Sequence, residues 1–280
     1  METGQKITPQ KNNIDELSSN ILSIQVSLNG LSFCILDSDQ GIIIHYSTLD
    51  FGKRLPPAEV LDNLKQHMNR DLQLQQTFRS LKVIFDNELS VLVPKPLFDE
   101  DQMANYLKFN SRIIKTDYLT FDELTSYDSV CVYIPFMNIN NFLIDRFGAF
   151  EYRHYATILI DGLMAKTKNL LSKKMFVYVQ SHHFEVIVLD KKSLLLYNTF
   201  EYKSPEDFIY YILFTAEQLR LNPEEIELTL FGDIQHGDDL FNMVYNYVRH
   251  VELMKPSSKF KLENEVNDHV LKNFVLINSF

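Results

Sequence analysis

The residues best suited to metal chemistry lie in two short stretches of the second half of the chain. His182 and His183 are adjacent, so on a strand their side chains point to opposite faces and cannot bind one ion together. Residues 233–239 hold three aspartates and a histidine, but they lack the alternating ligand spacing of an EF-hand calcium loop. We expect this stretch to form a turn and the acidic start of a helix. The sequence therefore predicts no metal site.

Covalent chemistry has no better support. No serine–histidine–aspartate, cysteine–histidine, zinc or Walker spacing occurs, so no catalytic residue is predicted. Cys34 and Cys131 lie in apolar runs typical of buried strands, where an unpaired thiol behaves as a small core residue. A reactive or bridged pair is the alternative, which no motif supports. These observations favour a non-enzymatic protein without a cofactor over an enzyme, which stays open as an alternative.

Composition and charge narrow the partners and the location. The net charge of −10 is spread along the 280 residues without a basic stripe, which disfavours nucleic acid as a partner. Residues 1–20 are polar and hold no apolar run of signal-peptide length, so we expect a flexible lead-in and no membrane insertion. Unpaired cysteines then favour a reduced, cytoplasmic location.

The elements that would position a site occur twice. Residues 23–37 align without a gap with residues 176–190, so that Ile24 meets Val177. A third strand, a helix opened by proline and an acid, and a fourth strand follow in each copy. In this alignment the fourth strands also match, with residues 83–86 aligned to residues 229–232. Similarity at this spacing predicts two copies of one domain.

The predicted domains follow from this duplication. A first domain spans 21–150, a connecting helix lies within 151–173, a second domain spans 174–265, and the segment 266–280 packs back on the body. The late part of the first domain reads as a strand, a helix, a strand, a helix and a further strand. These predicted elements are Ser90–Val93, Asp99–Asn110, Val130–Ile134, a helix capped by Asn138, and a strand from Phe150. The connecting helix is predicted over Tyr155–Leu171.

This order of elements resembles the actin-like ATPase superfamily, in which two ribonuclease H-like α/β domains are joined by a long helix. More narrowly, the chain resembles a bacterial family of unknown function, the DUF3822 type, with that same fold. The resemblance covers the chain from about Ile21 onward. It implies a nucleotide site built from one phosphate loop in each half.

The two loops that the resemblance identifies carry the wrong residues. The family loop begins Asp-x-Gly, where the aspartate holds a metal and glycine lets the phosphates approach. Here Ser27 and Asn29 stand at those positions in the first loop, followed by Gly30, and Gln180 opens the second loop before His182 and His183. Neither serine nor glutamine supplies the charge that holds Mg²⁺ beside a triphosphate. We therefore expect a degenerate nucleotide site.

A third family element, the adenosine loop, is represented only by Gly232 and the following Asp233. Gly232 is expected to serve turn geometry, and a residual nucleotide pocket is the alternative. A ribonuclease H-like nuclease is disfavoured as well, because Ser27 and Gln180 stand where a metal-binding carboxylate is required.

Three functions stay open. The first is a non-catalytic binding or scaffold protein on an actin-like frame. The second is an ATP-binding switch that uses Asn29, Gly30 and Gly232 with a carboxylate from Asp86 or Asp233. The third is a small-molecule enzyme with its site in the interdomain cleft. Fold alone does not choose among them.

One helix suggests a surface for a protein partner or for self-association. The helix of the second half carries Tyr210, Leu213 and Phe214 where the first half has polar residues, so it is apolar on more than one side. Cover by the C-terminal segment, through residues such as Val270 and Leu271, or by the other domain is the alternative. Exposed aromatics would mark the surface as an anchor for a partner.

Overall fold

The computed structural model describes residues 18–109, 113–114, 116–191, 193–255, 258–262 and 272–280. The rest of the predicted lead-in, together with Val270 and Leu271, lies outside this part. Two compact units divide it: the first holds 18–159, 259–262 and 275–280, and the second holds 160–258 and 272–274.

The chain combines strands and helices, as in an α/β protein. Up to residue 154 they are β1 (Asn20–Val26), β2 (Gly30–Asp37), β3 (Ile42–Asp50), α1 (Pro57–Arg70), β4 (Ser80–Phe85), β5 (Ser90–Pro94), α2 (Met103–Leu107), β6 (Thr120–Glu123), β7 (Ser129–Tyr133), α3 (Met137–Phe147) and β8 (Glu151–His154). The later elements are α4 (Tyr155–Lys166), β9 (Lys173–Val179), β10 (His183–Asp190), β11 (Ser193–Glu201), α5 (Pro205–Gln218), β12 (Glu227–Gly232), α6 (Asp239–Tyr247), β13 (His250–Leu253), β14 (Lys261–Leu262) and α7 (Phe274–Ile277).

Apart from the additional edge strand β14 in the first unit, the two units are built on sheets of the same strand order. The first sheet runs β14-β3-β2-β1-β4-β8 and the second runs β11-β10-β9-β12-β13. In each, the first three strands form an antiparallel meander, and the fourth strand pairs parallel with the first. The duplicated ribonuclease H-like fold predicted from the sequence is confirmed.

The two equivalent helices begin in the way the sequence predicted. Proline occupies the first turn of both α1 and α5, where its missing N–H costs no hydrogen bond. The Ser204 hydroxyl caps α5 by accepting a hydrogen bond from the Asp207 N–H. Each helix buries one apolar face: Val60, Leu64 and Met68 in α1, and Phe208, Ile209, Ile212 and Ala216 in α5. These faces close the cores of their units.

The first unit carries a small extra sheet between β4 and α3. It has the order β5-β7-β6, with β7 antiparallel to both neighbours, and α2 packs against β5 and β7. The predicted strand Val130–Ile134 is the centre of this sheet. The corresponding link in the second unit, between β12 and α6, consists of residues 233–238 alone.

Three helix predictions were wrong in detail. Asn138 does not cap α3, because it lies inside the helix and its amide donates a hydrogen bond of 2.7 Å to the Pro57 carbonyl. A helix was expected over Asp99–Asn110; the described residues of this range form a 3₁₀ turn followed by the five-residue α2, and Asn110 lies outside them. The connecting helix α4 ends at Lys166 instead of Leu171.

Among the residues that the structure describes, no helix has both the length and the apolar character needed to cross a membrane.

Candidate functional site

The first predicted phosphate loop is a turn closed by one hydroxyl. Ser27 Oγ accepts hydrogen bonds from the N–H groups of Asn29 (3.1 Å) and Gly30 (2.9 Å). The Ser27 N–H and hydroxyl both lie within hydrogen-bond distance of the Gly30 carbonyl. The two N–H groups that could meet a phosphate oxygen are therefore already bound within the loop.

Gly30 has a structural reason to be glycine. A Cβ at this position would lie 2.7 Å from the carbonyl oxygen of Leu49 on the neighbouring strand β3. This contact is shorter than any side chain tolerates, so the close approach of β2 and β3 requires glycine here. Phosphate binding is not needed to explain it.

The second predicted loop is a tight turn between β9 and β10. The Gln180 N–H donates to the His183 carbonyl at 2.9 Å, and the Tyr202 hydroxyl donates to the Gln180 carbonyl at 2.8 Å. His182 is exposed at the tip of the turn. His183 instead lies beside a carboxylate, with its Nε2 3.1 Å from Oε1 of the buried Glu185. The two histidines are thus in different surroundings.

The carboxylates considered as substitute metal ligands occupy equivalent places in the two units. The Asp86 N–H donates to the Val26 carbonyl at 2.9 Å, and the Asp233 N–H donates to the Val179 carbonyl at 2.8 Å. The strand pairing matches Phe85 with Val26 and Gly232 with Val179. The sequence alignment, which set Asp86 against Gly232, was therefore wrong by one residue in the fourth strand.

Both carboxylates already have partners within their own units. Asp86 Oδ2 accepts a hydrogen bond of 3.1 Å from the Gln25 amide. Asp233 forms an ion pair with Lys272. A metal ion would have to displace an amide in the first unit and an ammonium group in the second.

Gly232 is fixed by backbone geometry. Its φ of +100° lies in the region that favours glycine, and a Cβ here would lie 2.2 Å from the Val179 carbonyl oxygen. The conformation and the close approach to β9 both require glycine, which supports the structural interpretation over the residual nucleotide pocket.

The acidic stretch after β12 forms a turn and a helix start, as expected. The Asp238 carboxylate accepts a hydrogen bond of 2.6 Å from the Gln235 N–H, and Asp239 lies in the first turn of α6. Within the described ranges, no group of three or more His, Cys, Asp and Glu side chains is placed to hold a metal ion.

A shallow surface cavity of about 340 Å³ lies elsewhere in the second unit. Its lining mixes both charges and includes Lys173, Arg220 and Glu225. None of the residues predicted for a nucleotide or metal site lines it.

Sequence inspection missed a buried polar cluster in the first unit. Asp122 Oδ2 accepts hydrogen bonds from the His154 N–H (2.6 Å) and the Thr157 hydroxyl (3.1 Å), while Asp122 Oδ1 accepts one from the Tyr133 hydroxyl (3.1 Å). Cys131 Sγ lies 3.7 Å from His154 Nδ1. The cluster joins the small sheet to β8 and α4, and only the folded chain brings these residues together.

The cysteine and histidine of this cluster are held neutral. The His154 Nδ1 accepts from the Ala156 N–H at 3.1 Å, so its Nε2–H donates to the Asn87 carbonyl, also at 3.1 Å. Burial lowers the pKa of His154 to about 4 and raises the pKa of the Cys131 thiol well above its ordinary value. A neutral, inaccessible thiol is a poor nucleophile, so the cluster has a structural role.

A second missed cluster lies between β3 and α1. The Ser47 hydroxyl lies 3.3 Å from His67 Nε2, and Asp71 Oδ2 lies 4.0 Å from the same nitrogen. In a catalytic triad the serine and the carboxylate bind opposite ring nitrogens. His45 forms the closer contact with Asp71, at 2.9 Å. This arrangement does not support proton relay.

The predicted partner surface on α5 is divided between the core and solvent. Tyr210 and Phe214 are 60% and 42% exposed, and their rings stack with centroids 6.0 Å apart. Leu213 instead packs against the core of the second unit. Phe274 of the C-terminal segment contacts Tyr178. The described part of the chain leaves the aromatic pair open.

The fold defines the class of this protein. In the solved structures, a Bacteroides thetaiotaomicron protein with an actin-like ATPase fold and unknown function is similar over 95% of this chain and 99% of its own, with a TM-score of 0.72 and 21% identity. The type IV pilus biogenesis complex PilM–PilN is similar over 92% of this chain and 96% of its own, with a TM-score of 0.60 and 10% identity. At these identities the similarity shows an actin-like ATPase fold.

The family model described as "Protein of unknown function (DUF3822)" matches residues 9–251, and the chain belongs to this family. The narrower resemblance seen in the sequence is confirmed. No curated protein matches the sequence.

Proposed function

We propose that this protein is a non-catalytic scaffold that binds another protein, on an actin-like frame whose nucleotide site is degenerate. The observation that carries the proposal is the first loop, where the Ser27 hydroxyl oxygen accepts hydrogen bonds from the N–H groups of Asn29 and Gly30. A phosphate would have to break both hydrogen bonds, and no carboxylate stands at that position to hold its metal ion.

The second unit supports the same conclusion independently. Its loop replaces the family aspartate by Gln180, and the nearby Asp233 is paired with Lys272. Loss of one loop alone leaves the phosphate contacts of the other half in place. Loss in both halves removes the metal and the phosphate contacts together.

A scaffold role is consistent with a structural neighbour. The similar PilM chain is solved as part of a complex with PilN, so the frame is compatible with protein assembly. The net charge of −10 argues against nucleic acid as the partner. We extend the proposal to a cytoplasmic bacterial protein, on the unpaired buried cysteines and the family resemblance.

Thermal unfolding with nucleotide tests the proposal. A ligand present at about 100 times its dissociation constant stabilises the folded state by about 2.7 kcal/mol. For a chain of this size this raises the melting temperature by roughly 5–10 °C. We expect millimolar Mg-ATP to leave the melting temperature within about 1 °C of the value with Mg²⁺ alone. A rise of the full size, absent with Mg²⁺ alone, would show that the site still binds nucleotide.

Substitution at Ser27 supplies the matched control. Ser27→Ala frees the N–H groups of Asn29 and Gly30 without adding a charge, and Ser27→Asp restores the family acid. If Mg-ATP stabilises Ser27→Asp but neither wild type nor Ser27→Ala, the absence of the aspartate at position 27 explains the absence of Mg-ATP binding. Wild-type binding that Ser27→Asp does not change would contradict the assignment of this loop.

A further inference from the structure

The exposed aromatic pair of α5 lies in a stripe with glutamates at both ends. Glu206, Tyr210, Phe214 and Glu217 recur at the spacing of one helix face. All four side chains are exposed. The Tyr210 and Phe214 rings are nearly parallel, at 17°, so they already form one apolar surface. We call these four residues the α5 stripe.

The duplication shows that the fold does not need this stripe. In α1, the equivalent helix of the first unit, Asp62 and Gln66 stand where α5 has Tyr210 and Phe214. Both are exposed, as their counterparts are. The same helix in the same sheet order is therefore built without aromatics, so the aromatic pair is not a requirement of the architecture.

Exposed aromatics flanked by acids define the chemistry of a partner. Aromatic rings supply large contact areas at low entropic cost, and they dominate the energetics of many interfaces. The glutamates at the ends of the stripe attract cationic side chains and repel acidic ones. We propose that the α5 stripe binds a basic amphipathic segment of another protein, with apolar residues on the rings and Lys or Arg at the ends. This inference rests on the proposed scaffold function and names its partner class.

Charge also distinguishes this partner from a second copy of the chain. In an antiparallel pairing of two α5 helices, Glu206 of each copy would face Glu217 of the other. Like charges that face each other oppose association, and each copy carries a net charge of −10. A basic partner is attracted at the same two glutamates where a second copy is repelled.

Direct binding of designed peptides tests the proposal. The first probe is a helix-forming peptide of about 18 residues, roughly five turns, with leucine on one face and lysine on the other. The second keeps the leucine pattern and replaces lysine by glutamate. Binding of each to the full chain is measured by fluorescence anisotropy at low and physiological salt.

Three pairs of substitutions separate the contributions. Tyr210→Asn with Phe214→Gln removes the rings without changing the charge, and we expect at least a tenfold loss of affinity for the lysine peptide. Glu206→Gln with Glu217→Gln should weaken binding about threefold and flatten its salt dependence. The matched control replaces two exposed apolar residues of the first unit, Leu97→Asn with Phe109→Gln, and should change nothing.

Four results would overturn the proposal. Equal binding of the glutamate peptide would contradict a basic partner, and unchanged binding after loss of the rings would contradict a contact with Tyr210 and Phe214. A wild-type dimer that Tyr210→Asn with Phe214→Gln converts to monomer would assign the stripe to a second copy. A fall of many degrees in the melting temperature of that variant would show that its own chain covers the rings. Because nucleotide binding is measured separately, failure here leaves the degenerate-site proposal unaffected.

Discussion

The buried His154 predicts a specific loss of stability in mild acid. Its folded-state pKa is about 4, against an ordinary value of 6.5. Between these values the unfolded chain binds a proton that the folded chain rejects. The contribution of His154 to the free energy of unfolding is therefore fully present above pH 6.5 and is lost as the pH falls toward 4. Between pH 7 and pH 5 the protonation of this one side chain in the unfolded state should lower the free energy of unfolding by about 2 kcal/mol.

The variant His154→Gln isolates this contribution. The glutamine amide can still donate to the Asn87 carbonyl, but it does not titrate. We expect the variant to be less stable than wild type at pH 7, because the Ala156 N–H loses its acceptor. Its further loss on going to pH 5 should be about 2 kcal/mol smaller than that of wild type.

Urea unfolding at the two pH values, followed by far-UV circular dichroism, measures the difference. The chain has no tryptophan, so the dichroism signal is preferable to intrinsic fluorescence. All other titrating groups are common to both proteins, so their contributions to the pH dependence of the free energy of unfolding cancel in the comparison. His182→Gln, which removes an exposed histidine, is the matched control for the loss of one imidazole. Equal acid losses in wild type and His154→Gln would refute the buried neutral imidazole.

Three further substitutions or probes follow from the geometry. Gly232→Ala should cost roughly 3 kcal/mol or more in urea unfolding, because its Cβ would meet the Val179 carbonyl; a cost below about 1 kcal/mol would contradict the close approach. Ser27→Ala should cost about 1 kcal/mol through the lost turn hydrogen bonds, and a neutral effect would count against that turn. Cys34 and Cys131 should react with an aromatic disulfide reagent only in denaturant; fast labelling of the native protein would show that they are accessible.

The duplicated fold could be predicted because it rests on local patterns. Each half presents a meander of apolar strands and then a helix that starts at proline, and both signals depend on neighbouring residues alone. The fourth strands were misaligned because Val83–Phe85 and Leu228–Phe231 are continuous buried runs. Such runs lack the alternation that fixes a register, so a shift of one residue leaves the pattern unchanged.

The polar clusters could not be predicted, because they depend on distant parts of the chain. Asp122, Cys131 and His154 come from three strands, and the strand that holds Cys131 belongs to the inserted sheet. The loops were more tractable, since the sequence shows Ser27 and Gln180 at the positions where the actin-like resemblance implies an aspartate. The closure of the first loop by a serine hydroxyl required the structure.

The covering of β3 by β14 has a consequence for how the chain is made. The outer edge of β3 pairs with Lys261 and Leu262, at Ile42 and Ile43. On a ribosome, β9 to β13 are synthesised before the strand that covers this edge. At ~5–20 residues per second the edge waits on the order of ten seconds or more. The first unit is thus begun early and completed late, and until then Ile42 and Ile43 present open backbone groups at which a nascent chain is prone to mispairing.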